Sequence, residues 1–201
     1  MESVLKGYED PRIGVYFQPA TSTGTYEGLR NGLSPAQLGE SLNSNDNNSN
    51  VGTRWVTGGG ASWNNNLSVP RNIMHAAEAY FLRAEGALLG WSMGGTAREM
   101  YEKGIEMSMN QWGVNDGAAI TAYINSNKVP VAPADAMASP AVNNYPVKWD
   151  ADPAMQIRQI AQQKWLALFP DGFEAWADLR RMGVLQQYPL VNSDNPDLPV
   201  G

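Results

Sequence analysis

From residue 152 onward, apolar side chains recur at helical spacing. Ile157, Ile160, Ala161, Trp165 and Leu168 fall at i, i+3, i+4, i+8 and i+11, which predicts an amphipathic helix with one apolar stripe. Asp152 is placed to cap it, and Pro153 takes the first helical position, where a missing N–H has no partner to lose. Pro170-Asp171-Gly172 ends it. Phe173-Glu174-Ala175-Trp176 then opens a second, shorter helix that stops at Gly183, the position of a C-terminal cap.

A wider stripe lies upstream. In NIMHAAEAYFLRAEGALLGW, starting at Asn72, residues Met74, Ala77, Phe81, Ala84 and Leu88 keep helical spacing, with Tyr80, Ala87 and Trp91 beside them. This predicts a helix from about Ile73 that is buried on two sides. Ser92 to Gly95 form a turn, and Thr96 caps a second helix to about Met109. Its Ala97, Tyr101, Gly104 and Ser108 make a narrow seam that lets another helix approach closely. Residues 73–110 thus form a helix–turn–helix of about 35 residues, of tetratricopeptide type, a unit that buries its faces only against neighbours.

The rest of the chain carries weaker patterns. After the Asp10-Pro11 turn, Ile13, Val15 and Phe17 alternate, which predicts a short extended segment. Residues 21–72 turn to Gly, Ser and Asn with scattered aromatics; they read as a long loop excursion with a short helix at Pro35 to Leu42. A further short helix is expected from Asp116-Gly117 to about Asn127, and Val129 to Trp149 reads as irregular chain wrapped on the helices. The fold class is mainly α: a tetratricopeptide-like helix pair plus C-terminal helices over 152–183, with long irregular loops, in one region spanning 1–201.

Composition narrows the chemistry. A net charge of -6, with 14 basic residues in no run longer than two, argues against nucleic-acid binding by phosphate neutralisation. Zero cysteines remove disulfides, thiolate chemistry and cysteine-based zinc sites, and the single histidine, His75, makes metal catalysis through imidazole an unexpected route. No metal or cofactor is expected. No apolar run approaches the roughly 18 residues of a membrane span, and Met1-Glu2-Ser3 opens without the basic start of a signal peptide.

Catalysis finds no support in motifs: His75 opens an apolar helix away from any nucleophile elbow, and Gly58-Gly59-Gly60 is no phosphate loop. Binding has better candidates. Arg54-Trp55 and Trp63-Asn64-Asn65 combine indoles, a guanidinium and amides, the mixture that stacks on sugar rings and bonds their hydroxyls. Two readings stand: a sugar platform, or tryptophans that only anchor a long loop onto the helices. Glu174, Asp178, Arg180 and Arg181 read as ion pairs pinning the terminal helix, and Glu78 and Glu85 as partners of Arg83 or of another helix.

The segment Glu174-Ala175-Trp176-Ala177-Asp178-Leu179-Arg180-Arg181-Met182-Gly183 resembles the C-terminal signature of the SusD/RagB family, in which a long helix and a glycine turn precede an acid, an aromatic and "DLRR" with a terminal glycine. Asp10-Pro11-Arg12 followed by Tyr16-Phe17, and the segment AEAYFLRAEGAL, resemble other parts of the same family; Gln162-Gln163-Lys164 replaces its common glutamate–arginine pair. The resemblance implies a surface-exposed outer-membrane lipoprotein that captures a nutrient, most often an oligosaccharide. It would pass this ligand to a SusC-like TonB-dependent transporter, with no catalysis and no cofactor. Membrane attachment would come only from a lipid anchor not seen in this chain. Family members are more than twice as long, so the chain is expected to be the C-terminal two-fifths, without the N-terminal repeats. The alternative is a helical-repeat scaffold that binds a protein or peptide and has no sugar site.

Overall fold

The computed structural model describes residues 1–59, 62–135 and 137–193, without the side chain of Trp63. In chain order the helices are α1 (Glu2–Gly7), α2 (Ile13–Tyr16), α3 (Pro35–Leu38), α4 (Ala76–Leu88), α5 (Ala97–Gln111), α6 (Gly117–Ile124), α7 (Pro153–Ala167) and α8 (Gly172–Met182). Strands β1 (Val56–Gly59) and β2 (Ser62–Asn65) form an antiparallel ribbon between α3 and α4.

Helices α4 and α5 form the central hairpin, and α7 packs across both. Gly104 makes the close crossing possible, because a Cβ there would lie 2.7 Å from the Phe81 ring. Phe81, Tyr101, Ile105, Met109, Ile160 and Leu166 form the fully buried centre. Thr96 and Glu99 close a reciprocal capping box on α5, Asp152 caps α7, and Gly183 ends α8 in the left-handed region at φ 65°.

Three expectations need correction. Ile13, Val15 and Phe17 do not alternate in a strand; residues 13–16 are helix α2, and only Phe17 is extended, bridging Val51. A helical turn brings Arg12 and Tyr16 to the same side, both fully buried, with the guanidinium 6.0 Å from the tyrosine ring. Within the predicted 21–72 loop, β1 and β2 form a ribbon whose alternation is hidden because its glycines show no side-chain pattern. Finally, α7 carries more than one apolar stripe into the interior: Gln159, Gln162, Gln163 and Lys164 are buried as well. They can be buried because the irregular 128–149 segment, helix α6 with Arg12, and helix α8 supply partners. Gln159 donates to Pro146 O and Lys148 O, and Lys164 donates to Asp178.

The deepest polar cluster binds the N-terminal turn to the helices. Arg12 meets Asp10 through Nε (2.9 Å) and Nη2 (2.6 Å), and donates to Ser108 Oγ at 2.7 Å. Tyr123 donates to Asp10 at 2.7 Å, and Gln163 Nε2 donates to the Tyr123 hydroxyl at 3.0 Å. Burial alone favours a neutral Arg12, but Asp10 and its neighbours outweigh it and hold the guanidinium protonated beyond its ordinary range.

Candidate functional site

The ribbon is fastened to the body at its base. Gly52 crosses the main chain of residue 15 so closely that a Cβ would sit 2.0 Å from Val15 O, while Gly52 N donates to Tyr16 O and Gln18 N to Asn50 O. The next residues, Arg54 and Trp55, are set by Asn66, whose N–H donates to Trp55 O (2.8 Å) and whose amide donates to Arg54 O (3.1 Å).

Trp55 is partly buried. Its ring centroid lies 5.5 Å from that of Trp112 and 5.3 Å edge-on from Phe169. Phe169 in turn touches Tyr16 and Phe17, so residues from α2, the end of α5 and the end of α7 build an aromatic pedestal. The exposed Arg54 guanidinium lies over Trp112 at 5.6 Å, a cation–π contact. Beneath them His75 is buried, with Nδ1 2.9 Å from Gln111 Nε2 and no nucleophile hydrogen-bonded to it among the described residues.

Along β2, Asn65 pairs across the ribbon with Val56, Asn64 with Thr57 and Trp63 with Gly58. Paired residues share a face, so the two exposed amides address opposite sides of the ribbon. The structure therefore brings Arg54, Trp55 and Asn65 to the ribbon base and sets Asn64 on the other face. The Trp63 side chain lies outside the described residues. Sequence reasoning missed the pedestal of Trp112, Phe169, Tyr16 and Phe17, which no local motif announces because its members come from three distant segments.

The ion pairs foreseen near the C-terminus form a chain across three helices. Lys164, almost wholly buried, lies 2.9 Å from Asp178 and 3.6 Å from Glu78. Arg181 joins Asp178 at 2.7 Å and forks onto Glu85 at 2.5 and 2.6 Å. The two carboxylates, Glu85 first, raise the Arg181 guanidinium above its ordinary range. Glu78 and Glu85 thus pair with α7 and α8 and not with Arg83, which donates to Met93 O. Glu174 and Arg180 form no ion pair among the described residues. Glu174 N donates to the capping Asp171, and the Arg180 guanidinium lies 4.8 Å over the exposed Trp176 ring. Among the described residues no three His, Cys, Asp or Glu side chains gather as a metal site, and no helix is long and apolar enough to cross a membrane.

Residues 1–198 match the family model described as SusD-like, the SusD and RagB outer membrane lipoproteins. The chain belongs to the SusD-like family. A chitin-binding SusD homologue from Flavobacterium johnsoniae superposes with a TM-score of 0.79 at 39% identity, over 96% of this chain and 38% of that one. A SusD-like protein from Bacteroides thetaiotaomicron gives 0.73 at 34% identity, over 99% and 40%, and a SusD homologue from the same organism 0.74 at 32%, over 94% and 38%. This SusD-like chain therefore spans about two-fifths of the length of these solved relatives. Among curated proteins none matches it.

Proposed function

We propose that this chain captures an oligosaccharide at the cell surface, without bond chemistry, on the ribbon base built by Arg54, Trp55 and Asn65, with Trp63 and Asn64 further along β2. The observation that carries the reading is the pairing of an exposed guanidinium and a partly exposed indole on a fixed aromatic pedestal, flanked by amides. A pre-positioned ring presents an apolar face to a sugar at little entropic cost, and the guanidinium and amides bond its hydroxyls. The chitin-binding relative supports this ligand class and makes an oligomer of N-acetylglucosamine the first probe. Release to a SusC-like TonB-dependent transporter would follow from the same family, and neither step calls for a cofactor or a proton transfer.

Titration calorimetry with chitin oligosaccharides tests the reading. The variants Arg54→Ala and Asn65→Ala remove exposed groups and leave the pedestal in place, so each is expected to weaken binding about tenfold, the worth of a hydrogen bond or two. Unchanged affinity in both would remove the ribbon base from the site.

A second reading, a scaffold that binds a protein or peptide, is favoured by one observation. A groove of about 400 Å³ runs between α4, the turn after it and α8, lined by Leu82, Leu89, Trp91 and Met93 with Arg181 at its edge. Leu82, Leu89 and Trp91 are exposed there. Capture of a helical peptide by this groove, insensitive to Arg54→Ala, would support the scaffold.

A further inference from the structure

The fold requires glycine at position 32 for two reasons. Its backbone lies at φ 79°, and a Cβ there would meet Asn192 O at 2.6 Å. The residue before it is Asn31, the single asparagine followed by glycine in the sequence. Asn31 is exposed, and among the described residues neither its side chain nor the Gly32 N–H makes a hydrogen bond. A nucleophilic amide nitrogen and an electrophilic side-chain carbonyl therefore stand next to each other, with no side chain on Gly32 to hinder ring closure.

We infer that Asn31 is a site of spontaneous deamidation that releases the chain's C-terminal segment at 188–192. The Gly32 nitrogen, after losing its proton to base, attacks Cγ of Asn31. The bond from Cγ to the side-chain nitrogen breaks, ammonia leaves, and a succinimide ring remains. Water then opens the ring. Opening at Cγ leaves aspartate; opening at the main-chain carbonyl leaves an isoaspartyl link, with the chain rerouted through Cγ and one methylene longer.

The atoms displaced by that rerouting hold the middle of the segment, which Tyr188 and Asn192 also tie to Pro140 O and Gln37 Oε1. Val191 N donates to Asn31 O at 3.0 Å, and Asn192 donates to Gly32 O through its main-chain N at 2.9 Å and its amide at 2.8 Å. In the isoaspartyl form the former Asn31 carbonyl oxygen belongs to a free carboxylate, and Gly32 O is moved out of register. The new negative charge also lies beside Arg30, which donates to Pro189 O at 3.1 Å and lies 4.8 Å over the Tyr188 ring. Loss of these contacts takes away both main-chain hydrogen bonds of Val191 and Asn192 and so loosens the segment from the loop.

The test is incubation of the whole chain in mildly acidic and mildly alkaline buffer, with peptide mapping and brief proteinase K digestion at intervals. The Asn31 peptide should convert to isoaspartyl and aspartyl forms, faster in alkali, and cleavage within 188–192 should rise in step. Asn31→Ser removes the electrophile without removing a hydrogen bond, and should keep the segment protected throughout. An intact Asn31 after prolonged alkaline incubation overturns the inference. So does conversion without added cleavage, or loss of protection in Asn31→Ser on the same schedule.

Discussion

Single residues carry the tightest constraints in this chain. Arg12 is wholly buried, yet arginine in a sequence reads as a surface residue, so Asp10-Pro11-Arg12 showed its turn and concealed its destination. Ser108, Tyr123 and Gln163, the groups that satisfy Asp10 and Arg12, lie 96, 113 and 151 positions away along the chain, beyond the reach of local patterning. Removing one partner of such a pair leaves an uncompensated buried charge; Arg12→Met is expected to cost about 3–5 kcal/mol in urea unfolding. Gly104 offers a contest of two effects. Alanine gains about 1 kcal/mol of helix propensity, but its Cβ would strike the Phe81 ring and overpack the crossing by about 1–3 kcal/mol. Because the ring is fully buried, the loss should win, and Gly104→Ala should lower the unfolding midpoint.

At the scale of elements, what was legible is what is local. Caps such as Asp152, Thr96 and Gly183 act within a turn of themselves, and the wide stripe around Phe81 needs only its own period. The predicted start near Ile73 ran past the helix, which opens at Ala76 and leaves Ile73 and Met74 exposed. Long-range closure decided the rest: a three-residue alternation at Ile13 gave way to the helical turn that buries Arg12 and Tyr16. The seam between the loop and the C-terminal segment has its own acid dependence. Burial would raise the Asp135 carboxyl, but Ser139, Arg30 and the Met137 N–H together hold it below the usual aspartate value. A depressed value in the fold means that this stabilisation is present above the unfolded value of about 3.9 and is lost as pH falls through the folded one. Hydrogen exchange at 188–192, corrected for intrinsic rate, should therefore show protection at neutral pH that weakens in acid below about pH 4. Asp135→Asn should show the weaker protection already at neutral pH.

For the whole molecule, the signature at Glu174 to Gly183 pointed to the right family, and part of it does a structural job. Asp178 and Arg181 tie α8 to α7 and α4, and that tie needs those residue types at that spacing. A binding surface has no such internal bookkeeping, and its composition alone left Trp55 open between platform and anchor. In the structure Trp55 packs on Trp112 and Phe169 and is only partly buried, and the platform is the role proposed for what stays exposed. The deciding measurement is a calorimetric titration of chitin oligosaccharides into this chain and into an Arg54→Ala/Asn65→Ala variant of unchanged unfolding midpoint. Capture at the ribbon base predicts saturable binding that falls at least about tenfold in the variant. Equal affinity in the two proteins, or no binding of chitin oligosaccharides by either, would contradict capture there.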